Sequence, residues 1–136
     1  MDAVYPFDGE LGDGREKRYS ATPDDDTFRY LALAYALNHR IMHQNTTCYD
    51  VQDTWREGMK YGTINGAYQG DYFGSMKDNN YVARNCLEVY FGISCCKHPP
   101  VSHLPRYWLD NKNALLTFME KTHMGVKGLV KDIRGL

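Results

Sequence analysis

The stretch Asn85-Cys86-Leu87-Glu88-Val89-Tyr90-Phe91-Gly92-Ile93-Ser94-Cys95-Cys96-Lys97-His98-Pro99-Pro100 decides the fold class. Its first half is rich in β-formers and almost continuously apolar on one face, which predicts a strand over 81–94 central to a sheet. In that setting Cys86 reads as a small buried hydrophobe. Downstream, Pro99, Pro100 and Pro105 punctuate a loop, and a helix is predicted over 106–122, with Trp108, Leu115, Phe118 and Met119 on its covered side. Lys112 and Glu120 remain available to solvent. Upstream, Thr22-Pro23-Asp24-Asp25-Asp26 starts another helix. Threonine can cap, proline suits the first helical position, and carboxylates suit the positive end of the dipole. That helix should run to about His43. Its apolar residues form two adjoining stripes, Tyr30, Leu33, Leu37 and Ile41 beside Phe28, Leu31 and Tyr35, a face wide enough to lie on a sheet. The predicted class is α/β, a partial mixed sheet flanked by helices.

The rest of the chain is punctuation and edges. Tyr5-Pro6-Phe7-Asp8 reads as a strand end, followed by an exposed loop rich in glycine and charge over 9–18. Residues 48–74 hold five glycines and no sustained period, which marks a long loop of the kind that carries function or frays. After Gly125, residues 126–132 alternate like an edge strand.

Composition limits the partners. A length of 136 residues suits one modest domain, and sixteen basic against seventeen acidic residues leave a net charge of −1. No basic run interleaves with aromatics, so nucleic acid is excluded as a natural partner. No apolar stretch approaches the roughly 20 residues of a membrane helix, and residues 1–10 lack a basic start followed by an apolar core. Four cysteines and the sequon Asn45-Thr46-Thr47 point to an oxidising, secretory compartment. The simplest way to reconcile these clues is a fragment or truncated gene product whose natural beginning lies upstream.

Several polar groups invite chemical readings. The acidic triplet offers hard oxygen ligands for calcium or magnesium, but capping explains it more simply. His39 and His43 stand four apart on the predicted helix, where they could hold zinc with Cys48 or an acid. Without a carboxylate placed as in His-Glu-x-x-His, interaction with the last helical carbonyls or solvent is the ordinary alternative. Cys48, Cys95 and Cys96 could bind zinc as thiolates. His98, His103 and His123 each have a structural role available.

Five collinear motifs carry a resemblance. They are Tyr5-Pro6-Phe7-Asp8, Thr22 to Phe28, Asn65-Gly66-Ala67, Asn85-Cys86-Leu87-Glu88-Val89, and Ser94-Cys95-Cys96-Lys97-His98-Pro99-Pro100. Together with Trp108, Asn111-Lys112, Leu115-Leu116 and His123-Met124-Gly125-Val126-Lys127-Gly128, their order and spacing resemble the carboxypeptidase N/E subfamily of zinc metallocarboxypeptidases. The resemblance implies that residues 1–124 are the C-terminal half of the catalytic domain and that 125–136 begin a transthyretin-like β-domain. In that subfamily the zinc ligands and the arginines holding the substrate's C-terminal carboxylate come before Tyr-Pro-Phe-Asp. This chain is therefore expected to hold no zinc of its own, although zinc belongs to the full-length family.

The resemblance also implies two losses. The family's general base is a glutamate three residues before the paired cysteines, where this sequence has Gly92. Its mobile tyrosine follows Asn-Gly-Ala by three residues, where this sequence has Gly70. Hydrolysis in such enzymes needs a metal to polarise the carbonyl and a carboxylate to relay a proton, and glycine does neither. Glu88 is no simple replacement. On a strand rising roughly 3.3 Å per residue it would lie about 13 Å from residue 92. Ser75-Met76-Lys77-Asp78 and Leu104-Pro105 with Trp108 and Asn111-Lys112 look closer to a noncatalytic domain of the subfamily than to its active ones. The resemblance further implies a Cys48–Cys95 disulfide with Cys96 left over; the sequon itself marks Asn45 as the expected glycosylation site.

The leading expectation is a noncatalytic segment of a secreted protein, partnered by peptides or by the missing N-terminal half of its domain. The rival is half of an active zinc carboxypeptidase that removes C-terminal Arg or Lys. A third is a truncated product with no independent role.

Overall fold

The computed structural model describes residues 1–9, 19–44, 58–69, 74–126 and 130–135. Strands β1 (Asp2–Tyr5), β2 (Thr63–Asn65) and β3 (Tyr90–Gly92) form one sheet in the order β2-β1-β3. β1 runs parallel to β2, with Ala3 opposite Thr63 and Tyr5 opposite Asn65. It runs antiparallel to β3, with Asp2 opposite Gly92 and Val4 opposite Tyr90. Three helices complete the α/β arrangement: α1 (Asp25–Asn38), α2 (Met76–Arg84) and α3 (Leu104–Glu120).

Strand alternation sends Ala3 and Tyr5 into the core with Phe28, Ala32, Tyr35 and Ala36 of α1, while Asp2 and Val4 take the other face of β1. The alanines let the helix approach the sheet closely. At the centre, the Tyr35 ring stacks on Phe91 of β3 with centroids 3.7 Å apart, and Phe91 meets Phe118 of α3 edge-on at 4.9 Å. The Tyr35 hydroxyl donates to Asn111 Oδ1 at 2.6 Å, and Asn111 Nδ2 donates to the Tyr107 carbonyl at 2.8 Å. Burial pushes the Tyr35 phenol up to about 12. A buried ring with a satisfied polar tip joins three elements at once, and truncating one typically costs about 3–5 kcal/mol.

The structure corrects several expectations. The predicted strand over 81–94 splits: its start belongs to α2, which Asn85 ends in the left-handed conformation, and only Tyr90–Gly92 pairs. The helical signals are Ser75 at the N-cap, Asp78 in the first turn and Arg84 in the last, and the apolar run that follows masks them. That strand is not central among the described residues, because β3 pairs with β1 alone. Cys86 follows the α2 cap and is exposed rather than buried. Of the two α1 stripes, Phe28 and Tyr35 are buried, whereas Tyr30 and Leu37 are 45% and 55% exposed. On α3, Leu115 and Phe118 pack on the core but Trp108 and Met119 face outward. Thr22 does not supply the α1 cap; Asp24 occupies that position and makes no side-chain capping bond. Most of 48–74 and part of 126–132 lie outside the described residues, and the described part of the latter forms no strand.

Helix α1 ends at Asn38, short of the expected His43, because His39 turns the chain. The buried His39 ring accepts the Ile41 and Met42 N–H groups at Nδ1, at 3.2 and 3.0 Å. Its proton therefore sits on Nε2, which is buried without a partner among the described residues. Burial holds its pKa below the ordinary 6.5, with Asp110 opposing that shift. The unfolded chain thus takes up the proton first as pH falls. The stabilisation is complete above about pH 6.5 and is lost below it. The urea midpoint should fall between about pH 7 and about pH 5, and His39→Asn, which keeps an acceptor but does not titrate, should flatten that slope. An unchanged slope in the variant would remove His39 as the cause.

Candidate functional site

Where the parallel strands β1 and β2 end, the family-like motifs meet in one polar network. The Asn65 side chain donates to the carbonyls of Pro6 and Ser20, each at 3.0 Å, and accepts the Ser20 N–H at 2.9 Å. The Ala67 N–H donates to the Phe7 carbonyl at 2.9 Å. Asp8 follows: its N–H donates to Asp78 Oδ2 at 2.8 Å, and its carboxylate pairs with the Lys77 ammonium, which also lies 3.4 Å from Asp78 Oδ1. The side chains of Lys77 and Asp8 are only 7% and 9% exposed. Gly66 backs onto this pair so closely that a Cβ there would stand 1.9 Å from Asp8 Oδ1. Hydrogen bonds and the ion pair thus join the Tyr-Pro-Phe-Asp, Asn-Gly-Ala and Ser-Met-Lys-Asp segments to one another.

Gly92 lies in β3 directly across from Asp2. Glu88 is not on that strand, contrary to the strand expected over 81–94, and its carboxylate accepts from Asn80 Nδ2 of α2. Gly70, Asn45 and Cys48 lie outside the described residues. Cys86 and Cys96 are exposed free thiols, while Cys95 is disulfide-bonded. His43 Nδ1 lies 3.1 Å from the His39 carbonyl, the helix-end role that competes with metal binding. Of the acidic triplet, Asp24 accepts from the Tyr81 hydroxyl at 2.7 Å and Asp25 from the Tyr19 hydroxyl at 2.6 Å. These bonds help to raise both phenols above their ordinary range, after burial as the first cause. The sequence reading missed Asp2, Gln69 and the pairing of Lys77. The available signal was a charged residue inside a strand-like stretch and a lysine beside an aspartate in a motif.

The zinc carboxypeptidase family model matches residues 3–114, so this chain belongs to that family. It is 47% identical to mouse (Mus musculus) carboxypeptidase D over 131 residues, covering 96% of this chain and 9% of that protein. It is 44% identical to Caenorhabditis elegans carboxypeptidase E, covering 96% of this chain and 28% of that protein. To mouse carboxypeptidase M it is 38% identical, covering 98% and 29%. The chain thus spans less than a third of the length of each of these relatives. Among the described residues no group of three or more His, Cys, Asp or Glu is placed to hold a metal ion.

The buried ion pair makes the network testable. Lys77→Met should cost about 3–5 kcal/mol in urea unfolding, because Asp8 is left charged and buried without its cation. Adding Asp8→Asn should recover part of that loss. A stability unchanged by Lys77→Met would mean that the pair carries no weight.

Proposed function

We propose that this chain is a catalytically silent segment of the zinc carboxypeptidase family, contributing a peptide-binding or structural surface to a larger secreted protein. Gly92 carries the reading: the position resembling the family's proton-relaying glutamate has no side chain. Gly70, in place of the family's tyrosine, points the same way. The likeness of Ser75-Met76-Lys77-Asp78 to the third, noncatalytic domain of carboxypeptidase D adds support. We take 1–124 as the C-terminal half of the catalytic domain and 125–136 as the start of a transthyretin-like domain.

The partner we favour is the missing N-terminal half of the domain. Helix α3 turns Trp108, Leu109 and Met119 outward, 55%, 67% and 61% exposed, an apolar surface that a further layer of protein would cover. Secretion fits the sequon at Asn45 and the disulfide-bonded Cys95. We assign Cys48 as the partner of Cys95, closing a loop worth about 4 kcal/mol if unstrained. Peptide mapping without reduction should recover that linked pair, and recovery of Cys95 joined to Cys86 or Cys96 would refute it.

The rival reading is a portion of an active enzyme that removes C-terminal Arg or Lys. The run Cys95-Cys96-Lys97-His98-Pro99-Pro100, which looks like the active members, favours it. A chimera carrying the upstream half of an active relative separates the two. With Gly92 unchanged, release of C-terminal Arg or Lys should stay near background, since general acid–base catalysis is typically worth about 10²- to 10⁴-fold. Substantial cleavage by that chimera would establish the rival.

A further inference from the structure

The room beside Gly92 is already taken. A Cβ on residue 92 would stand 2.3 Å from Oδ1 of Asp2, its partner across the β1–β3 ladder. The Gly92 N–H donates to the same carboxylate. Gln69 Nε2, just after the turn that follows β2, donates to Asp2 Oδ2 at 2.7 Å. One carboxylate thus ties β1, β3 and the segment after β2. Gly92 does not have the positive φ that would by itself demand glycine, so the obstacle to a side chain there is Asp2.

We propose that Asp2 is a strap that closes position 92, so that Asp2 in its present place and a carboxylate side chain at 92 exclude each other. Two causes act together. The first carbon of any side chain at 92 needs space held by an oxygen of a carboxylate that two donors fix. A second carboxylate would also share a partly buried space with the first, and like charges so close resist double ionisation. Burial already raises the Asp2 carboxyl above its ordinary range, and a second carboxylate beside it would meet the same desolvation. The strap deepens the silent reading and rests on it only for its catalytic meaning: Gly92→Glu alone would not recreate a usable base.

The test uses the full chain and the variants Gly92→Glu, Gly92→Ala, Asp2→Ala and the doubles, unfolded in urea at about pH 7.5 and about pH 5. Gly92→Glu should lower the midpoint markedly at the higher pH and less at the lower, where one carboxyl of the pair takes a proton. In the Asp2→Ala background the loss from Gly92→Glu should fall to less than half. If Gly92→Glu does not fold, Gly92→Ala makes the same comparison, because the Cβ alone meets Asp2. Equal losses in both backgrounds would overturn the strap while leaving the silent reading untouched. Cleavage by the unmodified chimera would do the reverse.

Discussion

A strand with neighbours on both sides satisfies its backbone groups only when both neighbours are in register, and β1 is that strand. Four residues, Asp2 to Tyr5, bind a parallel partner on one edge and an antiparallel one on the other. They also place Ala3 and Tyr5 under α1 and lead directly into the Pro6–Asp8 segment that the Asn65 side chain holds. The three strands are far apart in the chain, so long loops must close before any pairing is rewarded. The aromatic stack of Tyr35, Phe91 and Phe118 offsets that cost by joining α1, β3 and α3 in a single contact set.

The same geometry explains what kind of site this is. Asp8, Lys77 and Asp78 gather where two parallel strands end, the part of an α/β sheet at which ligands commonly bind. Here the charges answer one another within the protein. A buried pair is weak evidence of stability in itself, since desolvation opposes the Coulomb attraction. It does fix how the motif segments meet.

The sequence showed the α/β class, α3 within two residues at each end and the start of α1 within three. It did so because caps, prolines and periodicity are local signals. It did not show α2, because the apolar run after it spoke for a strand and a Gly- and amide-rich loop ran up to it. The exposed face of α3 was misjudged for a related reason. Periodicity reveals that a face is apolar, not that anything covers it. The candidate position Gly92 was legible only through resemblance, and the network around it was not. Bonds such as Gln69 to Asp2 join residues 67 positions apart, and local pattern carries no information about them.

The Asp2–Gly92 pairing also orders the history of the chain. On any lineage leading from a glutamate at 92 to this sequence, the strap had no room to form until that glutamate was gone. Once formed, it made the way back a two-step path whose first step is unfavourable from either end. On such a path the glycine is held in place by packing. A pair of neighbouring strands can in this way act as a ratchet.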